Sequence, residues 1–446
     1  MKPHLLYIAF WYPPSRASGV YRAIATTKEF IDAGWDVTVV STTTDFFEDE
    51  VGSIDASLLA HIPETAAVVR VPFTFGIAPV LNVRSMTRLG ANFPTLLGPI
   101  RRWSATARSV LPLPEDRSRP PRIMENYVSW IEPAVEAGMQ VGERHRIDHI
   151  LATGNPYSSF EAGRRLGEAL GTGFSIDYRD PWTIDVFTGR SDIANRDTTR
   201  AERRIIDEAF WCFHVNQAIA DAYQEKYPES AEKHQVVYNG YDAESIPGPS
   251  QSAKGPYRFG MLGTLNDRWP IAPLFEAWAT ARAQLPPGSE LVLGGHLGYF
   301  AHSQELLQTH LPPESEGFRY LGPIAKSDVA AFYSSLDVVI VPVPGGPMVT
   351  SGKVFEALAL GKPFICIQSA GGGARALADE SPLAIGVEPK GESILGALLQ
   401  AAEMARDLDP EESLRVRSAM ARYERHKSLT PMVESITGRR SAGSPT

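Results

Sequence analysis

Ser351, Lys353 and Glu356 fall close together in one segment, TSGKVFEALALGKP, residues 350–363. Their types and spacing suit chemistry on a nucleotide. Thr350 or Ser351 can cap a helix, and Gly361 suits its left-handed end. The start of such a helix offers free N–H groups and the positive end of the helix dipole, both of which favour phosphate. Lys353 adds a charge in the first turn. Glu356 lies about one turn further in, where its two oxygens can accept both hydroxyls of a ribose. The same residues also fit an amphipathic helix with a solvated Lys and Glu.

Two other stretches carry chemistry-bearing types. WYPPSRASG, residues 11–19, lacks the GxGxxG spacing of a dinucleotide fingerprint. Gly19 still stands where a strand, a loop and a helix would meet, so a backbone could come close to a sugar or phosphate there; the alternative is a flexible turn with Ser18 as cap. SIDYRDPW, residues 175–182, puts Asp177, Arg179 and Asp180 at the end of an apolar run. The two acids are three apart with no His or third acid beside them, which argues against a metal. An internal Arg–Asp pair, or Asp180 pointing into a cleft, are the two readings.

The elements that must position these residues follow from apolar runs separated by helical patterns. LLYIAF, WDVTVVST, HILAT, FSIDYRD, WCFHV and QVVYNG read as strands, with helices such as VYRAIATTKEFIDAG, SSFEAGRRLGEALG and QAIADAYQEKY between them. IPGPSQSAKGP, residues 246–256, is a Pro/Gly/Ser-rich linker. A second alternating set follows it. Such patterning predicts parallel sheets covered on both faces, with ligands at the carboxyl ends of strands. The fold class is α/β, with two doubly wound Rossmann-like domains: residues 1–245, the linker 246–256, and residues 257–436 with terminal helices. Residues 437–446 are expected to be a disordered tail.

Composition narrows the partners. The chain has 446 residues and a net charge of -9, a poor match for general nucleic-acid binding. Cys212 and Cys366 sit in apolar runs and read as buried free thiols. No apolar run is long enough to span a bilayer, so a cytoplasmic protein is expected. Between Glu64 and Glu115 there is no acid, while Arg70, Arg84, Arg88, Arg101, Arg102 and Arg108 accompany several aromatic and aliphatic residues. That span, 65–114, suits either an anionic membrane surface or an insertion packed on its own domain.

The order of these landmarks resembles GT-B glycosyltransferases, especially the retaining enzymes of glycosyltransferase family four. EALALGKP resembles the family's helix whose Glu holds the nucleotide ribose, and YPPSRASGV, SIDYRDPW, VVYNGYD, GMLGTLNDRWPIAPLFEAW and LGPIAKSDVAAFYSSLDVVIVP follow in the family's order. The resemblance implies a sugar transferred from a nucleotide-diphosphate sugar to an acceptor hydroxyl with retention and without a metal or other cofactor. It implies donor binding by Glu356, Ser351, Gly352, Gly263, Thr264 and Gly19. Arg268 and Lys353 would stabilise the leaving diphosphate and Asp180 would face the acceptor, which a basic 65–114 span would suit if it is lipid-linked, with the protein peripheral on the inner face of the plasma membrane. The sequence departs from the family at Met348, where a first Glu is usual, at Thr264, where Arg is usual, and at Phe160, where many relatives have His. Arg268 fills a Lys position and can still clamp phosphate oxygens. A GT-B-type epimerase and a non-catalytic partner that binds nucleotide sugar remain the alternatives.

Overall fold

The computed structural model describes residues 2–51, 54–73, 126–191, 194, 196–249, 251–265, 269–298, 308 and 311–442. Arg268 and most of the acid-free span lie outside them.

The first half forms a seven-stranded parallel sheet in the order β3-β2-β1-β4-β5-β6-β7. Its strands are β1 (His4–Ile8), β2 (Asp36–Thr42), β3 (Ala67–Val71), β4 (His149–Gly154), β5 (Phe174–Tyr178), β6 (Cys212–His214) and β7 (His234–Val236). Its helices are α1 (Val20–Asp32), α2 (Ile131–Arg144), α3 (Ser158–Leu170), α4 (Arg196–Glu208) and α5 (Gln217–Lys226). The central strands are apolar on both sides because helices cover both faces: every residue of β1, β4 and β5 is buried. The strand β3 and the helix α2 are additions to the sequence reading. β3 is only half-buried at the sheet edge, which blunts the apolar signal that marks the inner strands.

The second half forms a six-stranded sheet in the order β10-β9-β8-β11-β12-β13. The strands are β8 (Arg258–Leu262), β9 (Glu290–Gly294), β10 (Phe318–Gly322), β11 (Val338–Pro342), β12 (Phe364–Ile367) and β13 (Ala384–Val387), all paired in parallel. The helices are α6 (Ile271–Ala281), α7 (Val329–Ser334), α8 (Gly352–Leu360), α9 (Gly373–Ala378), α10 (Gly391–Asp407), α11 (Pro410–Met420) and α12 (Arg425–Ala442). Strand order reverses between β1 and β4 in one sheet and between β8 and β11 in the other. Ligands of open parallel sheets bind at such reversals; Gly263 follows β8 directly, and Gly19 ends the loop that leads from β1 into α1.

The last helix corrects two expectations. It runs to Ala442, into the stretch expected to be a disordered tail. It also leaves the second domain: Leu429, Met432, Val433 and Ile436 pack in one cluster with Leu5, Tyr7, Val37 and Phe213 of the first. The chain returns beside its outward crossing, where Tyr241 N–H donates to Tyr423 O at 3.0 Å and Arg425 N–H to Tyr241 O at 2.8 Å. Both cysteines are buried and unpaired.

Candidate active site

Helix α8 is built as the sequence suggests. Ser351 takes the N-cap, its hydroxyl accepting from Lys353 N–H at 3.3 Å, and Gly361 ends the helix at φ 62°. Thr350 is not the cap. Its hydroxyl instead accepts from Asn216 of the first domain at 2.9 Å. Gly352 has open space where a Cβ would stand. Lys353 and Glu356 face one another, with Nζ at 2.8 and 2.9 Å from the two carboxylate oxygens. Glu356 also accepts from the hydroxyl of buried Tyr333 on α7. Burial first, and then the Glu356 charge, push the Tyr333 hydroxyl well above its ordinary range, so it stays a donor. Tyr333 was missed in sequence because SDVAAFYSSL reads as an amphipathic helix and nothing in it marks a polar task.

The same domain contributes the loops after β8 and β9. Gly263 N–H donates to Gly294 O at 3.0 Å and Leu265 N–H to His296 O at 2.9 Å. Gly295 sits at φ 129°, and a Cβ there would meet Gly263 O at 2.0 Å, so only glycine lets the two loops touch. Gly263 itself, at φ 146°, has nothing within 4 Å of an added Cβ, and Thr264 follows it half-buried.

The first domain contributes the loop after β1 and the end of β5. Asp177 is fully buried and paired with Arg22 of α1 through two bonds, 2.9 and 2.7 Å, so the Arg–Asp pair expected within SIDYRDPW is instead made with an arginine from another element. Arg179 goes elsewhere. Its guanidinium covers Gly19, where a Cβ would stand 1.7 Å from Nη1, and it donates to Ser18 Oγ at 3.3 Å. Ser18 therefore does not cap α1, whose N-cap Gly19 has no side-chain bond. Asp180 is exposed at the mouth of β5. Its backbone is fixed by Tyr157, whose hydroxyl donates to Asp180 O at 3.2 Å and to Pro181 O at 2.9 Å. Phe160 is a fully buried core residue.

Beneath this loop Glu202 is fully buried. It accepts from the hydroxyls of Tyr223 at 2.6 Å, Tyr227 at 2.8 Å and Tyr178 at 3.2 Å. Tyr223 in turn accepts from Trp182 N–H at 2.9 Å. A buried carboxylate needs such partners, and here they rigidify the segment that bears Asp180. Nothing in TTRAERRIIDEA signals this role for Glu202.

The segment before α8 is clamped between the domains. Gln368 donates to Pro344 O at 3.0 Å and to Val349 O at 3.1 Å from one side. Asn216 donates to Met348 O at 2.9 Å from the other. Met348 is 6% exposed and belongs to the core cluster of the first domain. Among the described residues no group of three or more His, Cys, Asp or Glu is placed to hold a metal.

Residues 256–403 match the family model described as glycosyl transferases group 1. No curated protein sequence matches the chain significantly. Among solved structures, a glycosyltransferase from Rickettsia africae aligns over 99% of this chain and 100% of its own at 11% identity, with a TM-score of 0.68. Sucrose-phosphate synthase from Thermosynechococcus elongatus covers 99% and 100% at 15% identity and 0.62. HepE from Anabaena, in complex with UDP, covers 98% and 100% at 15% identity and 0.62. The fold is GT-B. Its two Rossmann-like domains set α8 and the loops after β8 and β9 on one side of the cleft and the β1 and β5 loops on the other. The group 1 match covers every donor-binding residue proposed in the second domain, and Gly19 stands alone in the first.

Proposed function

We propose that the chain is a retaining, metal-independent glycosyltransferase that moves a sugar from a nucleotide-diphosphate sugar to an acceptor hydroxyl. One observation carries the reading: Glu356 is held by Tyr333 and Lys353 at the capped start of α8, inside the segment that matches the group 1 glycosyl transferases. A carboxylate has about four lone-pair sites, so Glu356 can take both ribose hydroxyls while Tyr333 stays bound. Lys353 is then free to turn from Glu356 toward the diphosphate, joined by the N–H group of Gly352 and by Arg268. Charge developing on the leaving diphosphate is stabilised by these groups without a metal. Gly263 and Thr264 line the same side of the cleft as α8, Gly19 approaches from the first domain, and Asp180 faces the acceptor.

HepE was solved with UDP and with UDP-glucose, which makes UDP the first nucleotide to test here. Calorimetric titration with UDP, GDP and ADP, followed by assay of sugar release from the matching donor, tests the reading directly. Slow hydrolysis of the donor without acceptor separates a transferase from a partner protein that only binds. Activity in excess EDTA is expected; loss of activity that magnesium restores would remove the metal-free mechanism. Retention is read from the anomeric signal of the product.

The acceptor is proposed to be lipid-linked, on the strength of the basic span 65–114. No helix among the described residues is long and apolar enough to cross a membrane, so contact with the bilayer would be peripheral. The protein should float with anionic vesicles at low salt and stay down with neutral ones.

A further inference from the structure

Arg16 lies exposed in the loop after β1, yet its guanidinium reaches the other domain and contacts His296 Nε2 in the loop after β9. His296 is a weak anchor for a cation. Burial first, and then the neighbouring Arg16, hold its imidazole below the ordinary histidine range, so it accepts a hydrogen bond while neutral. By contrast, Lys353, Arg22 and Arg179 rest on groups of their own domain. Lys353 is neutralised by Glu356 and Arg22 by Asp177. Arg179 lies against Gly19 and Ser18. Arg16 is thus a full positive charge suspended across the cleft. It ends beside the two loops whose glycines leave the backbone bare, with Gly263 facing open space and Gly295 permitting their contact.

We propose that Arg16 is a donor-binding residue of the first domain, which leaves His296 to grip the phosphates of the nucleotide-diphosphate sugar and so draws the two domains together on the donor. The inference rests on the transferase reading above and extends it to a residue outside the group 1 segment. The guanidinium matches phosphate oxygens in pairs, as an ammonium cannot. The imidazole of His296 holds the side chain extended until the anion arrives. Among the described residues no carboxylate pairs with Arg16, so a bound anion would supply the compensating charge and exchange of His296 for phosphate is favourable.

Full-length protein is titrated with UDP, GDP and ADP and with the corresponding nucleosides, and the tightest diphosphate is carried forward. Arg16→Ala should weaken that diphosphate by about tenfold or more and leave the nucleoside unchanged. Arg16→Lys should recover only part of the loss. His296→Ala should bind the diphosphate at least as tightly as the wild type, since it removes a resting place and no ligand contact. Arg16 is exposed, so its variants should melt with the wild type. Equal diphosphate affinity in Arg16→Ala would overturn the proposal, as would an equal loss for the nucleoside. A defect confined to the KM of the acceptor would instead assign Arg16 to a phosphate on the acceptor. If the wild type binds none of the three diphosphates, the transferase reading itself fails and this one falls with it.

Discussion

Asn216 of the first domain donates its side-chain amide to the main-chain carbonyl of Met348, in the second, at 2.9 Å. The same amide reaches Thr350 Oγ1 at 2.9 Å, and the Asn216 carbonyl oxygen caps α5 by accepting from Ile219 N–H at 2.9 Å. One buried side chain therefore fastens the start of the donor helix to the opposite domain. Met348 reinforces the tie by burying its side chain in the first domain's core. Asn216→Ala removes all three bonds and should cost about 1–3 kcal/mol. It should lower the melting temperature and speed proteolysis between the domains. Met348→Glu puts a charge into an apolar core, so it should destabilise more and fail to raise activity. A stable, more active Met348→Glu protein would show that this segment swings out to meet the sugar.

Gly19 and Arg179 make a second test. A Cβ at Gly19 would stand 1.7 Å from Arg179 Nη1 and 1.8 Å from Cζ. The obstacle is a flexible side chain, so Gly19→Ala should fold normally while displacing the guanidinium from the β1 loop. Turnover should fall with little change in melting temperature. Adding Arg179→Ala relieves the clash. If the double variant equals Arg179→Ala alone, the glycine serves to seat the arginine. If it is worse, the backbone at Gly19 itself meets the ligand.

Glu356 shares its oxygens between Lys353 and Tyr333. Glu356→Gln keeps the shape, weakens both bonds and strands the Lys353 charge. Each charge-assisted bond lost to ribose is worth about 1.5–3 kcal/mol, so nucleotide affinity should drop more than tenfold. The partly exposed ion pair contributes far less to folding, and the melting temperature should move only slightly. Unchanged affinity by calorimetry would remove the ribose role. Lys353→Met is the companion: it should spare nucleoside binding and weaken the diphosphate.

Much of this fold was legible in the residues. The buried strands around Leu6, Ile150 and Ile176 are continuous apolar runs because helices cover both faces, and α8 announces both of its ends through Ser351 and Gly361. What stayed hidden are relationships between distant segments. Asn216 precedes the helix QAIADAYQEKY, and its bonds to residues 348 and 350 depend on how two domains dock. Arg22 and Asp177 are 155 positions apart, and no local pattern favours Arg22 over adjacent Arg179 as the partner. The final helix, with low amphipathic order around Pro431, gives no hint that Leu429 and Met432 close the first domain's core rather than the second's.

Buried histidines of the first domain predict its response to acid. His149 is buried beside Ser175, 2.9 Å from its hydroxyl, and burial depresses its pKa from 6.5 to about 3. His234 is lowered to about 4, by burial first and by Lys233 second, and it shares a 2.8 Å hydrogen bond with His214, which burial also holds well below the ordinary range. In each case the unfolded chain takes up a proton near pH 6.5 while the folded chain does not. The unfolded state therefore binds more protons below that pH, and stability must fall as pH falls. The contribution is fully present above about pH 7 and is lost progressively from 6.5 down to about 4 for His234 and about 3 for His149. Each such group adds at most about 1.4 kcal/mol per pH unit to the slope. His149→Gln can keep the bond to Ser175 and cannot titrate. Between pH 6.5 and 5, its stability measured by urea unfolding should fall less steeply than that of the wild type by the amount of one proton. Identical slopes would mean that His149 charges inside the folded domain, and that water reaches the β4–β5 interior after all.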